Sequence, residues 1–242
     1  MARPAAVFTI MLALGAMIFA PLAGARADGR EEGPFEIEKC QTISKSGSYK
    51  LVKDLTFTLT APPPGVCLDI TTNAVTIDLA GFTISGPVVT GSNNTTAIAA
   101  GPDSFGITVR NGSISSFDSG VDLEGNGSIV EGLRVFDIGT GIIATGIVRG
   151  NAVVGISGPR TPGISATGTV TGNYVTSFRI AGIAIGQGST VIGNTSTNNG
   201  PPPGFGIEVS CPSNVTDNTA VNNITNLLLI GDGCNNTNDV AP

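Results

Sequence analysis

The chain of 242 residues contains no histidine and no tryptophan. Without imidazole, Ser-His-Asp and Cys-His catalysis are excluded, as is every metal site that needs a histidine ligand. Every lysine (Lys39, Lys45, Lys50 and Lys53) lies before residue 60, so arginine is the only cationic side chain beyond it. The net charge is −6, which argues against nucleic acid or an anionic membrane as a partner, and mildly against a strongly anionic polysaccharide. Long apolar runs are missing too, except at residues 5–20. With Arg3 before it and Ala25-Arg26-Ala27 after it, that run reads as an export signal over residues 1–27. It is short for a membrane span, so cleavage is expected to leave no membrane anchor. Losing Arg3 and Arg26 would take the net charge to (12 − 2) − 18 = −8.

What the chain has instead is 34 glycines and a recurring phrase. Val148-Arg149-Gly150-Asn151 is followed by Val170-Thr171-Gly172-Asn173, Val191-Ile192-Gly193-Asn194 and Val215-Thr216-Asp217-Asn218. Upstream, Leu79-Ala80-Gly81-Phe82, Val109-Arg110-Asn111-Gly112 and Val130-Glu131-Gly132-Leu133 keep nearly the same beat. A period of roughly 20 residues is the mark of a solenoid. The third position of each phrase is Gly, Asn or Asp, the residues that enter the left-handed region at least cost. A corner with positive φ is expected there.

A second phrase sets the rung openings at Gly65, Gly120, Gly141, Gly163, Gly182 and Gly206, with weaker copies at Ala97 and Asn226. About eight rungs follow. Because side chains alternate along a strand, one apolar column runs Val66, Ile98, Val121, Ile142, Ile164, Ile183, Ile207, Leu227. The next inward column runs Leu68, Ala100, Leu123, Ala144, Ala166, Ile185, Val209, Leu229. Between them lies a mixed, outward column: Cys67, Ala99, Asp122, Ile143, Ser165, Ala184, Glu208, Leu228. Asn151, Asn173, Asn194 and Asn218 fall on consecutive rungs, where stacked amides can form a hydrogen-bonded ladder.

Residues 28–64, with the lysines interleaved among Ile43, Tyr49, Leu51, Leu55 and Phe57, are expected to form a leader and N-terminal cap. The solenoid then occupies 65–242. Four cysteines suit an oxidising compartment and allow three pairings. Cys40–Cys67 with Cys211–Cys234 would staple the two ends, where a solenoid frays. The polar tail after Ile230 is expected to fold back over the last rung and leave a monomer. The alternative is that this end is a self-association edge.

The rung phrases, together with the opening Val75-Thr76-Ile77-Asp78-Leu79-Ala80-Gly81-Phe82-Thr83-Ile84-Ser85-Gly86, resemble the right-handed parallel β-helix proteins of the pectate-lyase-like superfold. The resemblance covers Gly65 to the C-terminus. It implies an all-β chain forming a single right-handed parallel β-helix. That fold hosts lyases, hydrolases, epimerases, tailspikes and adhesins, so activity has to be argued from the site. Polygalacturonase-like members carry clustered aspartates and a Gly-His-Gly motif, which this chain lacks. Pectate-lyase-like members pair aspartate calcium ligands with an arginine or lysine base; here the rungs hold no lysine and the acids are scattered.

Two polar sets are left as candidate ligand-binding residues. Arg110, Glu131 and Arg149 precede the corner on successive rungs, as an ion-pair ladder or an arginine wall for a carboxylate. Arg134 and Tyr174 flank Ala152 beyond the corner, making a shallow dip with a tyrosine platform. Asp118, Asp122 and Glu124 are the tightest acidic group and the best candidate for calcium, followed by the Asp232–Asp239 stretch; no metal or other cofactor is expected. The leading functional expectation is a secreted or periplasmic protein that binds polysaccharide or cell-surface glycan along one face. A small lyase or epimerase and a structural or self-assembling module are the alternatives.

Overall fold

The computed structural model describes residues 33–59, 65–87, 94–156 and 161–241. The expected export signal over residues 1–27 lies outside them. From Gly33 onward the chain is one unit, an all-β parallel solenoid in which every strand pairing is parallel. Along the first side eight strands stack in succession from Val66–Ile70 to Thr225–Ile230, one for each rung phrase, and the last rung is incomplete, its third side being a lone bridge between Thr219 and Val240.

Each turn has three sides. The first includes Val66–Ile70, Thr96–Ala100, Ala181–Ile185, Phe205–Ser210 and Thr225–Ile230. The second includes Gly47–Leu51, Val75–Asp78, Thr190–Ile192, Asn214–Thr216 and Asn235–Thr237. The third includes Thr83–Ser85, Ala152–Gly155, Tyr174–Thr176 and Thr195–Thr197. In mid-chain the corners are tight enough that Ser119–Ile138 runs through all three sides as one strand.

The inward columns are where alternation places them. Ile98, Val121, Ile142, Ile164, Ile183 and Ile207 are wholly buried, and Ala100, Leu123, Ala144, Ala166, Ile185 and Val209 nearly so. Asn111, Gly132, Gly150, Gly172, Gly193 and Asp217 all have φ between 54° and 63°. The corner therefore selects its residues by backbone conformation.

One correction concerns the first rung. Matching glycine to glycine sets Gly65 against Gly120, but Val66 pairs with Thr96, and Thr96 with Ser119. Cys67 therefore occupies the slot of Ala97 and Gly120 and is buried, while Asp69 takes the outward place and Leu68 and Ile70 point inward. The slot requires a small residue: a β-carbon at Gly141 would run into the Val153 methyl and the Gly163 carbonyl.

Residues 35–56 also differ from a separate cap. Gln41–Ile43, Gly47–Leu51 and Leu55–Thr56 pair in parallel with the three sides of the next rung, so the segment is itself a turn of the solenoid. Cys40 is bonded to Cys67 and Cys211 to Cys234, each tying an end turn to its neighbour. At the other end, the tail does not fold back. Asn235–Thr237 pairs with Asn214–Thr216 and extends the second side instead.

The four asparagines hydrogen-bond up the stack. Asn151 donates its backbone N and Nδ2 to Asn173 Oδ1, and Asn173 and Asn194 repeat this to Asn194 and Asn218 at 2.9–3.0 Å. Asp239 ends the ladder by accepting both donors of Asn218. A second, shorter ladder joins Asn199 to Asn223 after the next corner at the same 24-residue interval as Asn194 and Asn218, and Asn226, three residues on, accepts from Asn223 to end it.

Candidate functional site

On the second side, one outward column reads Glu36, Lys50, Asp78, Arg110, Glu131, Arg149 on successive strands. The signs alternate throughout. Asp78, not Ala80, stands opposite Arg110, because the corner after Asp78 holds two extra residues and is closed by Ala80 N donating to Asp78 Oδ1 at 2.8 Å. The expected ladder of Arg110, Glu131 and Arg149 therefore resolves into separate pairs. Arg110 Nε meets Asp78 Oδ2 at 3.2 Å, and Arg149 Nε donates to Glu131 Oε2 at 2.6 Å. A shallow, open hollow of about 580 Å³ lies over Arg110, Glu131, Arg149 and the corner residues beside them. Both arginines facing it already hold a carboxylate. A ligand carboxylate would have to displace Asp78 or Glu131, and exposed pairs of this kind contribute about 0–1 kcal/mol each.

The third side is different. Arg134, Ala152 and Tyr174 stand in register on three successive rungs, and two residues along the strands Phe136, Val154 and Thr176 do the same. Alternation sends both columns outward. Phe136 is 38% exposed, Val154 36% and Tyr174 43%, an apolar strip in the middle of a sheet face. Arg134 is exposed and, among the described residues, forms no ion pair within 4.0 Å. Ser113 and Ser115 occupy the rung before the strip, and Thr195 and Thr197 the rung after it. By rung and residue spacing the strip measures roughly 10 Å by 7 Å. Phe136 and Val154 are absent from the set read off the sequence. They are two residues beyond Arg134 and Ala152, and the period of two alone would have placed them on the same face.

The acidic groups do not gather. Asp118 Oδ2 accepts from the backbone N and Oγ1 of Thr95 at 2.9 and 3.1 Å, fastening a corner. Asp239 is spent on the asparagine ladder. Among the described residues no group of three or more Cys, Asp or Glu side chains is placed to hold a metal ion. Asp122 is the unsettled member: Oδ1 is buried with no hydrogen-bond partner. Burial, and then repulsion from Glu124, pushes its carboxyl above the usual range.

A raised carboxyl favours the native state only while it is protonated. Stability should therefore fall as pH rises above the ordinary carboxylate range and Asp122 ionises in place. Asp122→Asn is expected to melt above the wild type at neutral pH, the gap closing at about pH 3. Thermal melts at both pH values test this, and a gap that does not change with pH would rule it out.

Taken together, the fold and the site define a disulfide-stapled, all-β parallel solenoid with an apolar strip on one face. Two disulfides fit folding in an oxidising compartment. No helix among the described residues is long and apolar enough to cross a membrane. No family model, curated protein or solved structure matches the chain.

Proposed function

We propose that this is an exported protein that binds a glycan along the third side of the solenoid. The observation that carries the reading is the strip of Phe136, Val154 and Tyr174, exposed on a sheet face around the half-buried Ala152 and beside the unpaired Arg134. Sugar rings present apolar C–H faces that stack on aromatic side chains, and their edges carry hydroxyls that the Tyr174 hydroxyl can meet. Arg134 adds a planar donor suited to a carboxylate, so a uronate-containing chain fits better than a neutral one.

A glycan array with neutral and uronate-containing oligosaccharides tests the reading. Tyr174→Ala and Phe136→Ala are each expected to weaken binding about tenfold or more, which is about 1.4 kcal/mol. Arg134→Ala should lose the anionic ligands selectively, and Arg110→Ala should change little. Equal binding by all four variants would remove the third side from consideration. Release of unsaturated uronate from a bound chain would replace binding with lyase activity.

A further inference from the structure

The two ends of the solenoid leave apolar core uncovered, and acid gathers at one of them. At the C-terminal end, Leu227 and Leu229 continue inward columns whose previous members, Ile207 and Val209, are wholly buried, yet both are only partly covered. Ile230 and Val240 beside them are 44% and 55% exposed. At the N-terminal end, Phe35 stands in the inward column above Tyr49, with ring centroids 5.0 Å apart, and is still 41% exposed. All four lysines, Lys39, Lys45, Lys50 and Lys53, lie at the N-terminal end, but with Arg30 against Asp28, Glu31, Glu32, Glu36, Glu38 and Asp54 residues 28–59 sum to 5 − 6 = −1. Residues 205–241 carry Glu208, Asp217, Asp232 and Asp239 with no lysine or arginine, a net of 0 − 4 = −4.

We propose that the C-terminal end docks a second copy of this chain by that copy's N-terminal end, head to tail. Strand direction supports this partner. Thr225–Ile230 lies in the same column as Gln41–Ile43, and Asn235–Thr237 in the same column as Phe35–Ile37, so stacking continues the parallel pairing already used throughout. Leu229 then falls over Ile43, in whose inward column it already stands. Joining two C-terminal ends would reverse strand direction and set acid against acid. Because the tail extends the stack as a strand, it leaves this edge open to pairing. A head-to-tail contact uses two different surfaces and does not close on itself after two copies.

Light scattering after size exclusion tests the proposal, with circular dichroism and melting temperature showing that each variant is folded. The wild type is expected to grow in mass with concentration beyond two chains. A C-terminal variant (Leu228→Lys with Asp232→Lys) and an N-terminal variant (Phe35→Glu with Lys45→Glu) should each be monomeric. Mixed one to one, they should form a two-chain species and stop, since each retains one competent end. A wild type of single-chain mass at every concentration overturns the proposal. So does an N-terminal variant that still dimerises, which would mean that two C-terminal ends meet, or a mixture that stays monomeric.

Discussion

Replacing Ile164 with aspartate is expected to lower the melting temperature by roughly 10 °C or more, while the same change at Ser165 is tolerated. Ile164 is wholly buried between Ile142 and Ile183, the inward neighbours on the rungs above and below. A carboxylate there has neither water nor a partner, and it costs several kcal/mol even after neutralising itself by taking up a proton. In a chain of this length each kcal/mol is worth about 2–4 °C. The whole margin of stability is only about 5–15 kcal/mol. Ser165 is the next residue on the same strand but points outward between Ile143 and Ala184, half exposed. An added carboxylate stays hydrated there and should shift stability by under about 1 kcal/mol. Thermal melts of the two variants decide the matter, and equal melting temperatures would mean that the side assigned to the core is wrong.

The second large effect is expected at Asn194, the fully buried centre of the longer ladder. Its Oδ1 accepts from Asn173, and its Nδ2 donates to the Val170 carbonyl and to Asn218 Oδ1 at 2.9 and 3.0 Å. An ionised aspartate keeps the first set and loses the second. Val170 O loses that donor and Asn218 Oδ1 keeps only the Asn194 backbone N, and both then face an anion, at about 1–3 kcal/mol for the lost bonding plus the cost of burying the charge. Burial would hold the new carboxyl above its ordinary range, so the deficit should be smallest below that range and grow as pH rises through it. Asp239→Asn makes the reverse exchange at the ladder's end and should do little, because Asp239 only accepts there. Melts of Asn194→Asp and Asp239→Asn at acid and neutral pH separate the positions. Losses of the same size in both variants would mean that the ladder contributes no directional hydrogen bonding.

The two substitutions probe features that were legible to different degrees. The inward columns follow from a period of two within strands and of about 20 between rungs, both of which act locally on the chain. The asparagine ladder follows from four residues in step. The slip at the first rung has a physical cause. Glycine was matched to glycine, whereas the slot selects small side chains of any kind, and Cys67 fills it. The slip at Asp78 has the same origin, because two extra corner residues leave the phrase recognisable but move its partner.

What the sequence by itself determined is the architecture: an all-β solenoid, the identity of its inward faces, and corners that require Gly, Asn or Asp. These follow from alternation and from backbone sterics, which depend on near neighbours in the chain. Only the tertiary structure decided which acid each arginine meets, since Asp78 lies 32 residues from Arg110 and their pairing rests on the lengths of the intervening corners. Register between rungs also decided that Phe136, Val154 and Tyr174 share a face beside an unpaired Arg134. The tail's direction was open in the sequence as well. Its polar residues suit either a cover or another strand, and pairing of Asn235–Thr237 with Asn214–Thr216 satisfies its backbone groups along the existing sheet.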